Sequence, residues 1–257
     1  MNPKIDVNCD LGESYGHFRI GHDSEIMPYI TSANIACGFH GGDPATMLHT
    51  VRLAKKSKVA VGAHPGFPDL MGFGRRDMGL SKEELRSTVI YQLGALEALA
   101  ETENMNLQHI KPHGALYNIA AKKDEYAEAL IEAVLNTNSD LIMFAMPDSR
   151  LAELGTEAGL KVAFEVFADR AYNSDGSLVP RSREGAIISD TGIVASRAVR
   201  IVKERKVTAI DGQTVSFNRI HTICVHGDTS NAVELAKSIR KALQTANIQV
   251  LCVNSFF

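Results

Sequence analysis

Ile5-Asp6-Val7-Asn8-Cys9-Asp10 alternates with a period of two. Successive side chains of a strand point to opposite sides, so Asp6, Asn8 and Asp10 share one face and Ile5, Val7 and Cys9 the other. In an open parallel sheet covered by helices, both faces of a strand are apolar. A polar row on one face predicts a barrel interior instead, with helices packed on the apolar face.

The same grammar recurs along the chain: an apolar strand, polar groups at its C-terminal end, glycine, then a helix. Gly12 breaks the first strand and Glu13 follows. Residues 15–29 read as a loop with His17 and His22 solvated. The second strand, Ser32 to Cys37, ends at Gly38-Phe39-His40-Gly41-Gly42. Asp43 suits an N-cap and Pro44 the first helical position. The glycines either let backbone N–H groups approach an anion at that helix start or form a tight strand-to-helix turn. Val59 to Ala63 is the third strand, leading into His64-Pro65-Gly66-Phe67-Pro68-Asp69 and on to Arg75 and Arg76.

Ser81-Lys82-Glu83-Glu84 is a capping box, and the helix it starts carries Leu85, Val89, Leu93, Leu96 and Ala100 on one face. Strand four ends at Lys111-Pro112-His113-Gly114, because Pro112 cannot donate in a ladder. A helix over 124–135, strand five over 141–145 and a short helix with Leu151 and Leu154 follow, Gly159 taking the position after the last helical turn. Strand six, Lys161 to Phe167, ends in Ala168-Asp169-Arg170, and a polar loop over 171–185 has the length of a lid or binding element. A helix over 191–204 precedes a hairpin marked by Asp211-Gly212. Strand seven, Thr222 to Val225, ends at His226-Gly227-Asp228. Thr229 or Ser230 caps the next helix, and residues 250–253 suggest a last short strand.

Seven strand-then-helix units in 257 residues predict a single domain over 1–257, an α/β fold in the form of a seven-stranded parallel β/α barrel, a class that needs about 250 residues. A doubly wound open sheet is the alternative, but it gathers ligands at one switch point. Here polar groups stand at nearly every strand end: Asp10, Glu13, His40, His64, Lys111, His113, Asp169, Arg170, His226 and Asp228. That set suits acid–base hydrolysis, or metal-assisted hydrolysis with Asp10, His64 and His113 as ligands of a divalent metal. Paired carboxylates acting on sugars fit less well in a chain with no tryptophan.

The net charge of −3 with both signs mixed gives no electrostatic case for nucleic acid or an acidic membrane. No apolar run is long enough to span a bilayer, and no signal-peptide core follows Met1, so a cytoplasmic protein is expected. The four cysteines, Cys9, Cys37, Cys224 and Cys252, lack zinc-ligand spacing, and Cys9, Cys37 and Cys224, within strand-like runs, read as small buried thiols. No Walker A pattern occurs.

Asp6-Val7-Asn8-Cys9-Asp10-Leu11-Gly12-Glu13, Asn34-Ile35-Ala36-Cys37-Gly38-Phe39-His40-Gly41-Gly42-Asp43-Pro44, Gly62-Ala63-His64-Pro65-Gly66-Phe67-Pro68-Asp69, Lys111-Pro112-His113-Gly114-Ala115-Leu116-Tyr117 and Val225-His226-Gly227-Asp228 resemble the LamB/YcsF family, as does Glu165 to Tyr172. The resemblance covers essentially the whole chain. It implies a barrel of the glycoside hydrolase/deacetylase type and a cyclic-amide hydrolase. The reaction implied is ATP-dependent opening of the 5-oxoproline lactam to L-glutamate, in a complex with two further subunits, B and C. ATP is then bound by other means than a Walker loop, or by a partner. Under this reading Asp10 or His64 is the general base toward water, and His113 or His226 protonates the leaving nitrogen. Glu13, His40, Asp169 and Asp228 complete the catalytic set, while Lys111, Arg75, Arg170 and the turn at Gly41 and Gly42 hold carboxylate or phosphate. Two alternatives are a metal-dependent deacetylase or amidase acting alone, and a non-catalytic subunit that carries 5-oxoproline.

Overall fold

The computed structural model describes residues 2–227, 229 and 231–257. The elements in chain order are β1 (Lys4–Leu11), α1 (Asp23–Ile26), β2 (Ser32–Ala36), α2 (Pro44–Ser57), β3 (Ala60–His64), α3 (Lys82–Thr102), β4 (Leu107–Ile110), α4 (Gly114–Ala120), α5 (Asp124–Thr137), β5 (Ile142–Ala145), α6 (Arg150–Glu157), β6 (Lys161–Phe167), α7 (Thr191–Glu204), β7 (Lys206–Thr208), β8 (Thr214–Ser216), β9 (Thr222–Val225), α8 (Ala232–Thr245) and β10 (Gln249–Val250). Seven parallel strands run in the order β1-β2-β3-β4-β5-β6-β9, and β9 pairs back onto β1 to close the barrel. The short β10 pairs with the start of β1, Lys4 opposite Gln249. β7 and β8 form the expected hairpin, Val207 opposite Val215.

The alternation in β1 does what its pattern demands. Ile5, Val7 and Cys9 belong to the main apolar core with α-helical residues such as Leu235, Ile239 and Leu243. Asp6, Asn8 and Asp10 are buried on the opposite side, where they hydrogen-bond across the barrel. Thr31, Ser32 and Thr222 donate to Asp6. Asn8 Nδ2 donates to Glu165 Oε1 at 2.9 Å and to Thr222 at 2.7 Å. Asn34 Nδ2 donates to Asn8 Oδ1 at 2.7 Å and to Asp10 Oδ1 at 2.8 Å. Burial is the main reason the Asp6 carboxyl is pushed up to about 6, against the hydroxyl donors that pull it down.

Local signals hold at most boundaries. Asp43 accepts from the Ala45 and Thr46 amides with Pro44 in the first turn. The Ser81–Glu84 capping box is complete on both sides. Gly159 has a φ of +85°, as a residue just past a helix requires.

Four expectations differ. The segment 15–29 is not all loop: α1 and a 3-10 turn over Met27–Tyr29 form there, because Ile26 and Met27 are both drawn into the core. α4 is an additional helix, started directly by the turn after Pro112. α8 begins at Ala232 with Asn231 at its N-cap, later than a Thr229 cap would start it; Ser230 lies outside the described residues. The tail pairs only at Gln249–Val250 and then turns at Val253–Ser255. There Val253 packs with Ile142, Phe144 and Ala163 at the end of the barrel where β1 begins, with Phe256 against the same cluster.

Gly62 leaves room for its partner on the next strand, His109, which stands opposite it in the β3–β4 register. A Cβ on Gly62 would lie 2.3 Å from the His109 ring, and that ring is stacked on Phe144 with centroids 4.2 Å apart. His109 is also bonded to Asn34 Oδ1 at 2.7 Å, so it has nowhere to move. Gly62→Ala is expected to destabilise the fold by about 1–3 kcal/mol, measured as a lower urea midpoint. An unchanged midpoint would show the packing to be looser than this.

Candidate active site

A small cleft opens at the C-terminal ends of the strands. Of the expected site residues, Asp10, Glu13, His64, Arg75, Lys111, His113, Arg170 and His226 all line it. His40 and Asp169 stand directly behind the lining and reach it through His113 and His226. Asp228 lies outside the described residues. Gly41 and Gly42 pack on backbone: a Cβ on Gly41 would lie 3.0 Å from the Glu13 carbonyl oxygen, and one on Gly42 2.9 Å from that of Gly12. They press the His40 turn onto the segment carrying Glu13, as the tight-turn reading requires.

Lys111 is the centre of the cleft floor, 2% exposed. Its Nζ lies 2.7 Å from Asp10 Oδ1, 3.1 Å from Glu165 Oε1 and 3.0 Å from Cys224 Sγ. Burial alone would lower the Lys111 ammonium, but Asp10, Cys224 and Glu165 outweigh it and hold it well above its ordinary value. The Asp10 carboxyl shows the reciprocal balance: burial raises it, while His64 and Lys111 carry it well below the usual range. Each charge is tolerable in the interior because the other is there. Asp10 Oδ1 is taken up by Lys111 and Asn34, and its Oδ2 lies 3.4 Å from His64 Nε2.

The backbone after β3 and β4 places the histidines. Lys111 N–H donates to the Ala63 carbonyl, and His113 N–H donates to that of Pro65, so the two strand exits run together beyond the ladder. His64 Nδ1 lies 2.7 Å from the Lys111 carbonyl oxygen. His113 Nε2 lies 2.8 Å from the Phe73 carbonyl oxygen. Phe73 reaches that position with a φ of +54°, followed by Gly74 at +63°. No side chain fits at Gly74, where a Cβ would lie 2.7 Å from His40 Cβ and 2.8 Å from His113 Cδ2. The His40 ring lies flat on His113, centroids 3.6 Å apart and planes within 4°. Burial, then the neighbouring rings, keep the His40 and His113 imidazoles well below their ordinary value.

Across the cleft, His226 Nδ1 lies 2.7 Å from Asp169 Oδ2. Burial would raise the Asp169 carboxyl, but His226 holds it below its ordinary value. A carboxylate only accepts, so Nδ1 carries the proton and Nε2 is the ring nitrogen able to exchange one.

Arg170 lines the cleft but also braces the loop over it, donating to the Val179 carbonyl at 2.7 Å and that of Ala186 at 3.3 Å. That loop brings Leu178 and Arg181 to the cleft wall, and Arg75 stands 4.9 Å from the Phe73 ring centre on the other side. Sequence reasoning did not single out Glu165, Tyr117, Asn118 or Arg181 as site residues. Glu165 had one signal, a lone carboxylate inside the apolar run of strand six, and it is fully buried.

Fold and site together define a parallel β/α barrel with ionic and acid–base groups gathered at the C-terminal mouth, the arrangement of an enzyme. Residues 5–256 match the model of the LamB/YcsF family, and the chain belongs to that family. It is 53% identical over 253 residues to the A subunit of 5-oxoprolinase from Pyrococcus horikoshii, covering 98% of this chain and 99% of that one. It is 51% identical over 252 residues to the corresponding 5-oxoprolinase protein of Alkaliphilus metalliredigens, covering 98% of each. A solved structure, the lactam utilization protein from Thermus thermophilus, superposes with a TM-score of 0.92 at 50% identity, over 96% of this chain and 99% of that one. No helix among the described residues is long and apolar enough to cross a membrane.

His109 forms the layer beneath this cleft, and burial lowers its imidazole from 6.5 to about 3. The unfolded chain takes up that proton as pH falls through the ordinary value, while the folded chain takes it up only near the lowered one. Stability is therefore lost as pH falls across the interval between the two. In His109→Gln the slope of unfolding free energy against pH, measured by denaturant titration across that interval, is expected to be shallower. An unchanged slope would remove His109 from the account of acid sensitivity.

Proposed function

We propose that this chain opens the lactam ring of 5-oxoproline to give L-glutamate, as the hydrolytic barrel of an ATP-consuming complex with two further subunits, B and C. The observation that carries the reading is the Asp169–His226 pair facing a cleft that also holds Lys111 and is bordered by Arg75, Arg170 and Arg181. The names of the relatives support the substrate and the multi-subunit assembly.

The chemistry of the substrate matches these parts. A five-membered lactam is a resonance-stabilised amide, and phosphorylation of its carbonyl oxygen by ATP makes the ring carbon electrophilic. The arginines at the mouth take the substrate carboxylate or the phosphate. With that oxygen phosphorylated, the electron pair displaced when water adds moves onto the ring nitrogen, and Lys111, held as a cation by Asp10 and Glu165, balances the negative charge of the phosphorylated oxygen. His226 Nε2 takes the proton from that water, and Asp169 stabilises the imidazolium. The C–N bond then breaks, and the same imidazolium returns its proton to the departing nitrogen. The acyl phosphate left behind hydrolyses to glutamate and inorganic phosphate. One histidine thus serves as base and then acid; the second proton of the water leaves the hydroxyl as the acyl C=O forms and ends on the freed amine. The second ring nitrogens of His64 and His113 face each other 3.0 Å apart, whereas His226 lines the cleft with Nδ1 held by Asp169, so the proton-transfer role is given to His226. ATP is handled at the level of the complex.

The test is glutamate release from 5-oxoproline and ATP, with and without the two partner subunits. His226→Gln and Asp169→Asn are each expected to lower kcat by about 10²–10⁴-fold, with 5-oxoproline binding by calorimetry retained. Full glutamate production by both variants would overturn the assignment. Binding without any contribution to turnover would make the chain a carrier.

A further inference from the structure

Opening the lactam leaves a molecule able to undo the reaction. The opened chain carries an acyl phosphate and a freed amine, placed to re-form the same five-membered ring by expelling phosphate. A well-oriented intramolecular attack has an effective molarity of about 10⁵–10⁸ M, so ordinary water loses that competition. Glutamate is the product only where the acyl phosphate meets an activated water before it leaves the cleft. The second hydrolysis therefore needs the same groups as the first.

The parts for it stand in one small volume. A ring nitrogen of His226, Cys224 Sγ and a carboxylate oxygen of Asp10 all lie within 4.8 Å of one another. Cys224 and Asp10 also hold Lys111 Nζ, which is 3.0 Å from Sγ and 2.7 Å from Oδ1. The Phe167 ring backs both functional groups. His226 lies against it, centroids 5.5 Å apart with 15° between the planes, and Lys111 Nζ stands 5.6 Å from its centre. Base and ammonium thus reach the same acyl carbon. Arg75, Arg170 and Arg181 line the same cleft, and guanidinium groups suit a phosphate dianion. The carbonyl oxygen of an acyl phosphate is unsubstituted, so water addition puts a full negative charge on it, where a fixed ammonium has most effect.

We infer that this barrel hydrolyses small acyl phosphates by itself, without ATP and without partner subunits, and that water attacks carbon rather than phosphorus. His226 Nε2 takes a proton from water as the hydroxyl bonds to the acyl carbon and the carbonyl π pair moves onto the oxygen beside Lys111. That pair then returns, the bond from carbon to the phosphate oxygen breaks, and the imidazolium gives its proton to the departing phosphate. The remaining hydroxyl proton leaves to solvent. One acyl phosphate dianion and one water thus give a carboxylate, a hydrogen phosphate and a proton. The need for this step rests on the lactam reading, while the activity itself is measured without 5-oxoproline.

The experiment incubates the full-length chain alone with acetyl phosphate in ¹⁸O-labelled water. Hydroxamate colour follows the acyl phosphate, and mass spectrometry follows the label. Acetyl phosphate has no amine, so ring closure does not compete. Its loss is expected to exceed the rate without protein by about 10²-fold or more, with the protein-dependent label in acetate. His226→Gln and Asp169→Asn are each expected to lower kcat by about 10²–10⁴-fold, with folding checked by circular dichroism. His17→Gln, which alters an exposed histidine, should leave it unchanged. Where a variant does not fold, the position of the label in the unaltered chain decides. Hydrolysis no faster than in buffer, protein-dependent label in phosphate, or full activity in a folded His226→Gln would overturn the inference. An inactive isolated chain beside glutamate release by the complete complex would overturn it and leave the lactam reading in place. Acetyl phosphate turnover without glutamate release would uphold it and remove the lactam reading.

Discussion

The structure depends on keeping an ammonium group in the middle of a protein. Lys111 lies in the barrel with almost no water, and the cost of desolvating it is met by Asp10 and Glu165 within ion-pair distance. Those carboxylates need partners in turn. Asn34 and Asn8 supply amide hydrogens to them, and Asn8 and Asp6 are tied through Thr222. The interior of the barrel is therefore a connected polar stack, with the Lys111 layer at the mouth and the Asp6 carboxyl with its hydroxyl donors below. Such a network is strong when complete and fragile when one member is missing. The polar face of β1 exists to build it.

Around this stack the loops add groups of different reach. β3 and β4 leave the barrel side by side, so their exits deliver His64, Lys111 and His113 to one wall. β6 and β9 deliver Asp169 and His226 to the opposite wall. The long segment after β6 is fastened over the cleft by Arg170, which explains how a polar stretch of 171–185 keeps a defined course: its carbonyls are claimed by a buried guanidinium. Arg170 thus supports the wall that presents Arg181 as well as bordering the cleft itself.

Much of this was legible in the chain, for reasons that can be named. Period-two alternation in Ile5 to Asp10 reports the barrel because only an enclosed polar interior rewards it. Polar residues at strand ends report the site because parallel barrels bring those ends together. The Ser81–Glu84 capping box and the Asp43 N-cap report helix starts because they act within three residues. What escaped was long-range or masked. Glu165 sits in a run otherwise indistinguishable from an apolar strand, and its purpose appears only when Lys111 arrives from 54 positions earlier. The Gly41-Gly42 pair reads equally well as an anion cradle or as a turn, and only the nearness of the Gly12 and Glu13 backbone decides. The partnership of His40 with His113 is a stacking contact across two loops, which no spacing encodes.

The tail of the chain has a consequence for traffic through the molecule. Val253 and Phe256 close the end of the barrel where β1 begins, on a layer made by Ile142, Phe144 and Ala163. A tube stopped at one end is a cup. The polar stack is thus backed by apolar packing at that end and opens on the opposite rim, so a partner seated on the rim would cover its opening.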